Sequence, residues 1–174
     1  MHIVLVEPEI PQNTGSVARL AAATGSPLHL VGELGFSLED RYLKRAGLDY
    51  WPFVDLYTHD NFDAFLHEVD PGALLGFSTH AQRSYTEATY AEGDALVFGS
   101  ESRGLSPKLK EQLAPLWHIP MPGTGVRSLN LANAVSIVLY EGLRQLGRVS
   151  DGRTPQPPAP QPVAQPAFGS SRIP

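Results

Sequence analysis

Short, nearly continuous apolar runs alternate with helical patterns along the first 150 residues of this chain, and this alternation limits its fold more than any other feature. Continuous apolar runs of this length are typical of strands that are covered on both faces of a parallel sheet. The predicted strands are His2–Val6, Leu28–Val31, Phe53–Tyr57, Ala73–Ser78, Ala95–Phe98 and Trp117–Ile119. The pattern predicts an α/β fold with a mostly parallel sheet flanked by helices, and ligands are then expected beyond the carboxyl ends of the strands.

Capping and stop signals between these runs predict the helices. The predicted segments are a helix capped by Asn13 or Thr14 that ends at Ala23 before Gly25, Phe62–Val69 capped by Asp60, a helix from Pro107 to about Leu113 capped by Ser106, and Leu131–Leu146. The last segment carries apolar residues at the spacing of a broad buried stripe. Ile137 and Tyr140 lie off the centre of that stripe, which indicates a second covered side and is consistent with a homodimer.

Composition divides the chain into a domain, residues 1–150, and a proline-rich tail, residues 151–174, which holds 7 of the 16 prolines. The tail has too few large apolar side chains to offset the entropy of ordering it, so we expect it to be disordered. No apolar run approaches the roughly 20 residues of a membrane span. Met1 also leads directly into an apolar strand, without the basic region and the cleavage site of a secretory signal. We therefore expect a cytoplasmic protein without membrane contact.

Charge and cysteine content narrow the possible functions further. The chain has no cysteine, which excludes disulfides, thiolate metal sites and cysteine nucleophiles. Its net charge is −5, so any binding to nucleic acid must depend on local basic residues.

The first of three unusual junctions between a strand and a helix follows the opening strand. Two prolines stiffen the exit from that strand, Asn13 and Gly15 then open a helix, and Arg19 projects from it about one turn later. An ordinary capped helix with a surface arginine is the alternative interpretation.

The second junction runs from Gly99 to Gly104 and follows a predicted buried strand. Glycines allow a ligand to approach the backbone closely. Glu101 and Arg103 have few structural reasons to stand at a strand end, where binding residues are common. A turn rich in serine and glycine with an exposed ion pair is the alternative.

The third junction, Ile119–Asn133, joins a strand to the last helix through a loop stiffened by proline and glycine. Ser128 and Asn130 stand at the start of that helix, where exposed backbone amides would suit an anion or the polar edge of an adenine ring. Gly123 and Gly125 form only a lone G-x-G, without the third glycine and the acidic residue of a dinucleotide-binding motif.

Other catalytic chemistries find little support in the sequence. It contains no P-loop and no serine in a G-x-S-x-G turn, although spacing alone leaves a Ser/His/Asp triad open. We expect no metal site, because the histidines are scattered without metal-ligand spacing. They are His2, His29, His59, His67, His80 and His118.

Taken together, the three junctions resemble the three motifs of the SPOUT methyltransferases. The first-motif pattern N-x-G-x-x-x-R is matched by Asn13, Gly15 and Arg19, the second motif by FGSESRGL, and the third by IPM…SLNLANAVSIVLYE. Within that superfamily the chain resembles the small tRNA (cytidine/uridine-2′-O-)-methyltransferases, through the opening IVLVEPEIPQNTGSVARLAAATG, the stretch RAGLDY and the closing NLANAVSIVLYEGLRQLG. The resemblance covers the chain from Met1 to about Arg148.

The resemblance implies an α/β domain with a C-terminal trefoil knot that forms a homodimer. It also implies methyl transfer from S-adenosylmethionine, without a metal, to the ribose 2′-hydroxyl of the wobble nucleotide of tRNA, a cytidine or modified uridine at position 34, with leucine tRNAs expected. Two alternatives stay open. The enzyme could modify another tRNA site or ribosomal RNA, or the chain could be a catalytically silent RNA-binding module.

The same resemblance implies the residues of the cofactor site, which are Phe77, Gly99, Glu101, Ile119, Ser128, Leu129 and Asn130. Glu101 could instead hold Arg103 or a partner chain in place. The expected catalytic residues are Arg19, Tyr140 and Asn13. We expect Arg19 to clamp a phosphate or the 2′-oxygen rather than to act as a base, because a guanidinium stays protonated. Tyr140 could equally be an aromatic residue packed at the dimer surface.

RNA contact is expected from local basic residues, which a dimer could align into one groove. The expected RNA-binding residues are Arg41, Lys44, Arg45, Arg103 and Arg127. Solvated helix faces are the alternative interpretation for the first three.

Overall fold

The computed structural model of the chain describes residues 1–38 and 50–149. Arg41, Lys44, Arg45 and the proline-rich tail, residues 151–174, lie outside the described residues. Within the described ranges, no helix is long and apolar enough to span a membrane.

The strands of the described residues are β1 (His2–Val6), β2 (Leu28–Val31), β3 (Leu56–His59), β4 (Leu74–Gly76), β5 (Arg83–Ser84), β6 (Ala95–Phe98) and β7 (Trp117–His118). Five of them form one sheet in which every pairing is parallel, in the order β3-β2-β1-β6-β4. A parallel pair, β5 with β7, lies beside β4, to which it is joined by a bridge between Phe77 and Trp117. The predicted α/β fold with a mostly parallel sheet is confirmed.

The helices of the described ranges are α1 (Pro11–Thr24), α2 (Phe62–Val69), α3 (Pro107–Gln112) and α4 (Leu131–Gln145), with short 3₁₀ turns at Trp51–Phe53 and Tyr85–Glu87. Helix α1 begins earlier than predicted, because Pro11 already has a backbone suited to the first helical position and lacks the amide that would be unpaired there. Gly25 ends this helix in the left-handed conformation, with φ of 63°. The cap of α2 is Asn61 rather than Asp60, since the Asn61 side chain accepts the amide of Ala64.

The third strand differs from its prediction. Phe53, which was predicted to open this strand, instead ends a 3₁₀ turn, Trp51–Phe53, with Pro52 near its start, where the fixed φ of proline favours a helical turn. The strand itself is Leu56–His59, and it pairs with β2 from Leu28 to Val31.

Helices cover both faces of the sheet. On one face, residues of α1 and α4 pack against alternate residues of the central strands, and on the other face α2 and α3 do so. The predicted stripe on α4 is confirmed, with Val135, Val138, Leu139, Gly142 and Leu143 buried. The off-stripe residues Ile137 and Tyr140 are 36% and 47% exposed.

Three histidines that are far apart in the sequence form one row across neighbouring strands. His2 Nδ1 lies 3.0 Å from His29 Nε2, and His29 Nδ1 lies 2.9 Å from His59 Nε2. The row ends where His59 Nδ1 lies 2.8 Å from a carboxylate oxygen of Glu68 on α2. If all three rings are neutral and the carboxylate only accepts, each ring donates from Nδ1 and accepts at Nε2. The prediction that the histidines are scattered is wrong for these three, because parallel strand pairing brings them together.

This row predicts acid sensitivity. Burial, together with the neighbouring rings of His2 and His59, lowers the pKa of His29 to about 3. A histidine in the unfolded chain titrates near about 6.5, so below that pH the unfolded chain binds a proton that the folded chain does not. The free energy of unfolding should therefore fall with falling pH, by up to about 1.4 kcal/mol per pH unit. Urea unfolding at pH 7, 6 and 5 measures this slope.

The control for this prediction is His29→Gln, which keeps an amide donor and acceptor in the middle of the row. Its unfolding free energy should depend less steeply on pH than that of the wild-type chain. Equal slopes in the two proteins would contradict the assignment of acid sensitivity to His29.

Candidate active site

The three junctions singled out in the sequence meet at one edge of the sheet. β1 and β6 are neighbours and run parallel, so the loops that follow them leave the sheet side by side. The first loop leads from β1 into α1, and the second follows β6. The third leads from β7 to α4, which packs beside α1 on the same face of the sheet.

Hydrogen bonds between side chains join all three junctions. Asn13 Nδ2 donates to Glu101 Oε1 at 2.8 Å, and Asn130 Nδ2 donates to Asn13 Oδ1, also at 2.8 Å. Asn13 is buried, with 7% of its surface exposed. This Asn13–Glu101–Asn130 network links residues from the start of α1, the loop after β6 and the N-cap of α4, so the three junctions meet in one place.

Glu101 also anchors the backbone that leads into α1. Its carboxylate accepts the amides of Glu9 at 2.8 Å and Ile10 at 3.3 Å, in addition to the Asn13 side chain. A carboxylate near the start of a helix interacts favourably with the helix dipole and with amides that have no partner inside the helix. Glu101 therefore connects the loop after β6 to the loop that leads into α1.

Glu9 makes the reciprocal connection from the first loop to the second. It accepts the amide of Ser102 at 2.9 Å and the Ser102 hydroxyl at 2.6 Å. These hydrogen bonds from Ser102, with a smaller contribution from Arg103, lower the pKa of Glu9. The Arg103 guanidinium pairs with Glu7 at 3.2 Å and approaches Glu9 at 3.9 Å, although it is 72% exposed. Its charge is thus partly balanced within the chain, and its contact with RNA stays a prediction.

Gly99 stands where the second loop folds back on itself. The amide of Gly104 donates to the carbonyl of Ser100 at 2.8 Å. A Cβ atom at Gly99 would lie 2.1 Å from the carbonyl carbon of Gly104 and 2.2 Å from the amide nitrogen of Leu105. The space beside Gly99 is therefore filled by the chain's own backbone.

The third junction combines apolar and open polar surface. Ile119 and Leu129 are half-buried, whereas the loop between residues 122 and 128, which includes Ser128 and Arg127, is exposed. Phe77, at the end of β4, is buried and stacks on Phe98 with ring centres 4.9 Å apart.

The amides at the start of α4 are less open than predicted. Asn130 Oδ1 accepts the amides of Ala132 at 3.0 Å and Asn133 at 3.3 Å. These two amides therefore already pair with the N-cap side chain, and ligand binding by Ser128, Leu129 and Asn130 stays a prediction.

Arg19 and Tyr140 stand on exposed sides of their helices. The Arg19 guanidinium carbon lies 4.6 Å from the centre of the Tyr50 ring. Sequence reasoning assigned no role to Tyr50 or Glu9. The signal for Glu9 was its position just beyond the end of β1, and that for Tyr50 was its place at the end of RAGLDY. In the part of the chain that the structure describes, no cluster of three or more histidine, aspartate or glutamate residues could hold a metal ion.

Comparison with known proteins places this geometry among RNA methyltransferases. A model of the SpoU rRNA Methylase family matches residues 1–140. A tRNA (cytidine(34)-2′-O)-methyltransferase of Acidovorax sp. (strain JS42) is 46% identical over 159 residues, which cover 90% of this chain and 98% of that protein.

Two solved structures share the fold. One, concerned with the 2-OH methylation of C/U34 on tRNA, is 54% identical with a TM-score of 0.80 and covers 85% of this chain and 97% of its own. The other, the SpoU methyltransferase AviRb from Streptomyces viridochromogenes in complex with the cofactor AdoMet, is 25% identical with a TM-score of 0.77, over 86% of this chain and 61% of its own. These matches confirm the resemblance inferred from the three motifs.

Proposed function

Because this chain belongs to the SpoU rRNA Methylase family, we propose that it transfers a methyl group from S-adenosylmethionine to the ribose 2′-hydroxyl of the cytidine or modified uridine at position 34 of tRNA. The observation that carries the proposal is the Asn13–Glu101–Asn130 network, which joins the three motif loops at the carboxyl edge of the sheet. Similarity to the Acidovorax enzyme over nearly the whole of both proteins supports the choice of nucleotide.

The residues of the third junction fit an adenosine-containing donor. Such a ligand needs an apolar slot with a few polar partners. Ile119 and Leu129 offer half-buried apolar side chains there, and Ser128 offers an exposed hydroxyl. Phe77 adds a buried aromatic ring directly after β4. The bound donor supplies an electrophilic methyl group on a sulfonium. Glu101 and Asn130 hold the surrounding loops in place through side-chain hydrogen bonds, and Gly99 lets the backbone of Gly104 lie close beside it.

On the acceptor side, Arg19 clamps the phosphate or the 2′-oxygen of the target nucleotide. A guanidinium offers several donors in a fixed plane and stays charged, so it can stabilise negative charge that develops as the hydroxyl proton leaves. Asn13 acts by positioning, since both ends of its amide are used inside the network. Tyr140, which is exposed on α4, is the second candidate for contact with the acceptor.

We further propose a homodimer, a C-terminal trefoil knot and activity in the cytoplasm on leucine tRNAs, without a metal. The exposed Ile137 and Tyr140 on α4 support a covered face between two chains. The RNA groove would use Arg103 and Arg127 together with Arg41, Lys44 and Arg45.

The test is transfer of labelled methyl groups from S-adenosylmethionine to tRNA by the purified full chain. We expect labelling of a leucine tRNA and no labelling of the same tRNA with a 2′-deoxynucleotide at position 34, because that nucleotide lacks the acceptor oxygen. Labelling that survives the deoxy substitution would point to another tRNA site. Calorimetric binding of S-adenosylmethionine without transfer to any RNA would favour a silent binding module.

A further inference from the structure

Tyr50 is attached to the chain around it at several points. Its hydroxyl donates to the backbone carbonyl of Gly15 on α1 at 2.8 Å. Its own carbonyl accepts the amide of Phe53 at 2.9 Å, which opens the 3₁₀ turn, and its half-buried ring packs against the main hydrophobic core. A ring held by its hydroxyl, its backbone and its face has little freedom to move.

The position of that hydroxyl bond connects Tyr50 to Arg19. In an α-helix the amide of residue 19 donates to the carbonyl of residue 15. The hydroxyl of Tyr50 therefore contacts the helical turn that carries Arg19. The Arg19 guanidinium lies over the face of the same ring, 4.6 Å from its centre. One side chain therefore touches both the backbone turn and the charged group of Arg19.

We propose that Tyr50 is a positioning residue for Arg19: the Tyr50 ring holds the Arg19 guanidinium in one orientation before tRNA binds. This inference rests on the proposed function of Arg19 at the acceptor side. An arginine side chain has many rotamers, and the planar guanidinium is attracted to the negative face of an aromatic ring. Placing the group in advance removes an ordering step from the reaction and so raises the rate of transfer more than the affinity for either substrate.

Substitutions at Tyr50 separate positioning from a general structural role. Tyr50→Leu removes the ring and the hydroxyl, Tyr50→Phe keeps the ring, and Phe53→Leu is the matched control on the same turn, where the side chain is 48% exposed. We expect Tyr50→Leu to lower kcat about tenfold with KM for tRNA and Kd for S-adenosylmethionine within about twofold. Tyr50→Phe should retain at least about a third of kcat, and Phe53→Leu should match the wild-type chain.

A spectroscopic readout makes the positioning testable even if the chain transfers no methyl group. The Arg19 side-chain resonances, assigned through Arg19→Lys, should show the upfield ring-current shift of a group above an aromatic face. The shift should persist in Tyr50→Phe and disappear in Tyr50→Leu. An unshifted Arg19 signal in the wild-type chain would overturn the proposal, as would an unchanged kcat in Tyr50→Leu or an equal loss in Phe53→Leu. If Tyr50→Leu does not fold, a lost shift in the folded Tyr50→Phe chain would overturn it instead.

Discussion

Replacing Arg19 with alanine should lower methyl transfer to tRNA by roughly 100- to 1000-fold, the cost of removing one group that stabilises developing charge. The affinity for S-adenosylmethionine should change by no more than a few-fold, because Arg19 projects from α1 over Tyr50 and is not among the residues proposed to hold the donor. Single-turnover transfer and calorimetric titration with S-adenosylmethionine measure the two quantities separately.

Arg148→Ala is the matched control for the arginine substitution. Arg148 is also exposed, and it forms an ion pair with Glu92 at 2.9 Å, but it lies beyond the end of α4. We expect this variant to transfer methyl groups at the wild-type rate. If Arg19→Ala instead loses the cofactor, the assignment of Arg19 to the acceptor side is wrong.

Gly99→Ala should destabilise the folded chain more than the addition of a methyl group anywhere else in the second loop. Its Cβ would lie 2.1 Å from one backbone atom of Gly104 and 2.2 Å from one of Leu105, so the backbone itself must move. We expect a loss of about 3 kcal/mol or more in the free energy of unfolding, at or above the upper end of ordinary overpacking. The measurement is urea unfolding of both proteins at neutral pH.

Gly123→Ala provides the same chemical change without the contact. A Cβ at Gly123 would meet no atom within 4 Å, and we expect its unfolding free energy to stay within about 0.5 kcal/mol of the wild-type value. Similar unfolding curves for the two variants would show that the loop after β6 can open without cost, contrary to the structure.

Patterns that are local in the sequence predicted most of the fold. The apolar runs located β1, β2 and β6, and the spacing of apolar residues predicted the buried stripe at the centre of α4, because both depend on periodicities along one segment. The predicted start of β3 at Phe53 was wrong, since an apolar residue does not reveal by itself that the preceding Pro52 places it in a 3₁₀ turn. Ligands were expected beyond the carboxyl ends of the strands, and the three junctions meet at that edge of the sheet.

Roles inside the site were harder to predict than its location. The resemblance implied that Glu101 lies near a cofactor, with Arg103 or a partner chain as its alternative contact, and the structure gives its carboxylate two backbone amides and the Asn13 side chain. The backbone of Gly104 occupies the space that a side chain at Gly99 would need, and close approach of a ligand to the Gly99 backbone stays a prediction. Residue type limits what a side chain can bind, but it does not determine which neighbour is within reach.

The amino-acid sequence by itself determined the order of strands and helices, the absence of cysteine chemistry and the three polar junctions that mark the family. Only the tertiary structure decided which of those polar groups pair with one another. Asn13 meets Asn130 across 117 positions of sequence, and His2 meets His29 across 27. Such contacts depend on strand order and on the register of each pairing. A shift of one residue in register would turn every side chain of a strand to the opposite face, and local patterns do not record that choice.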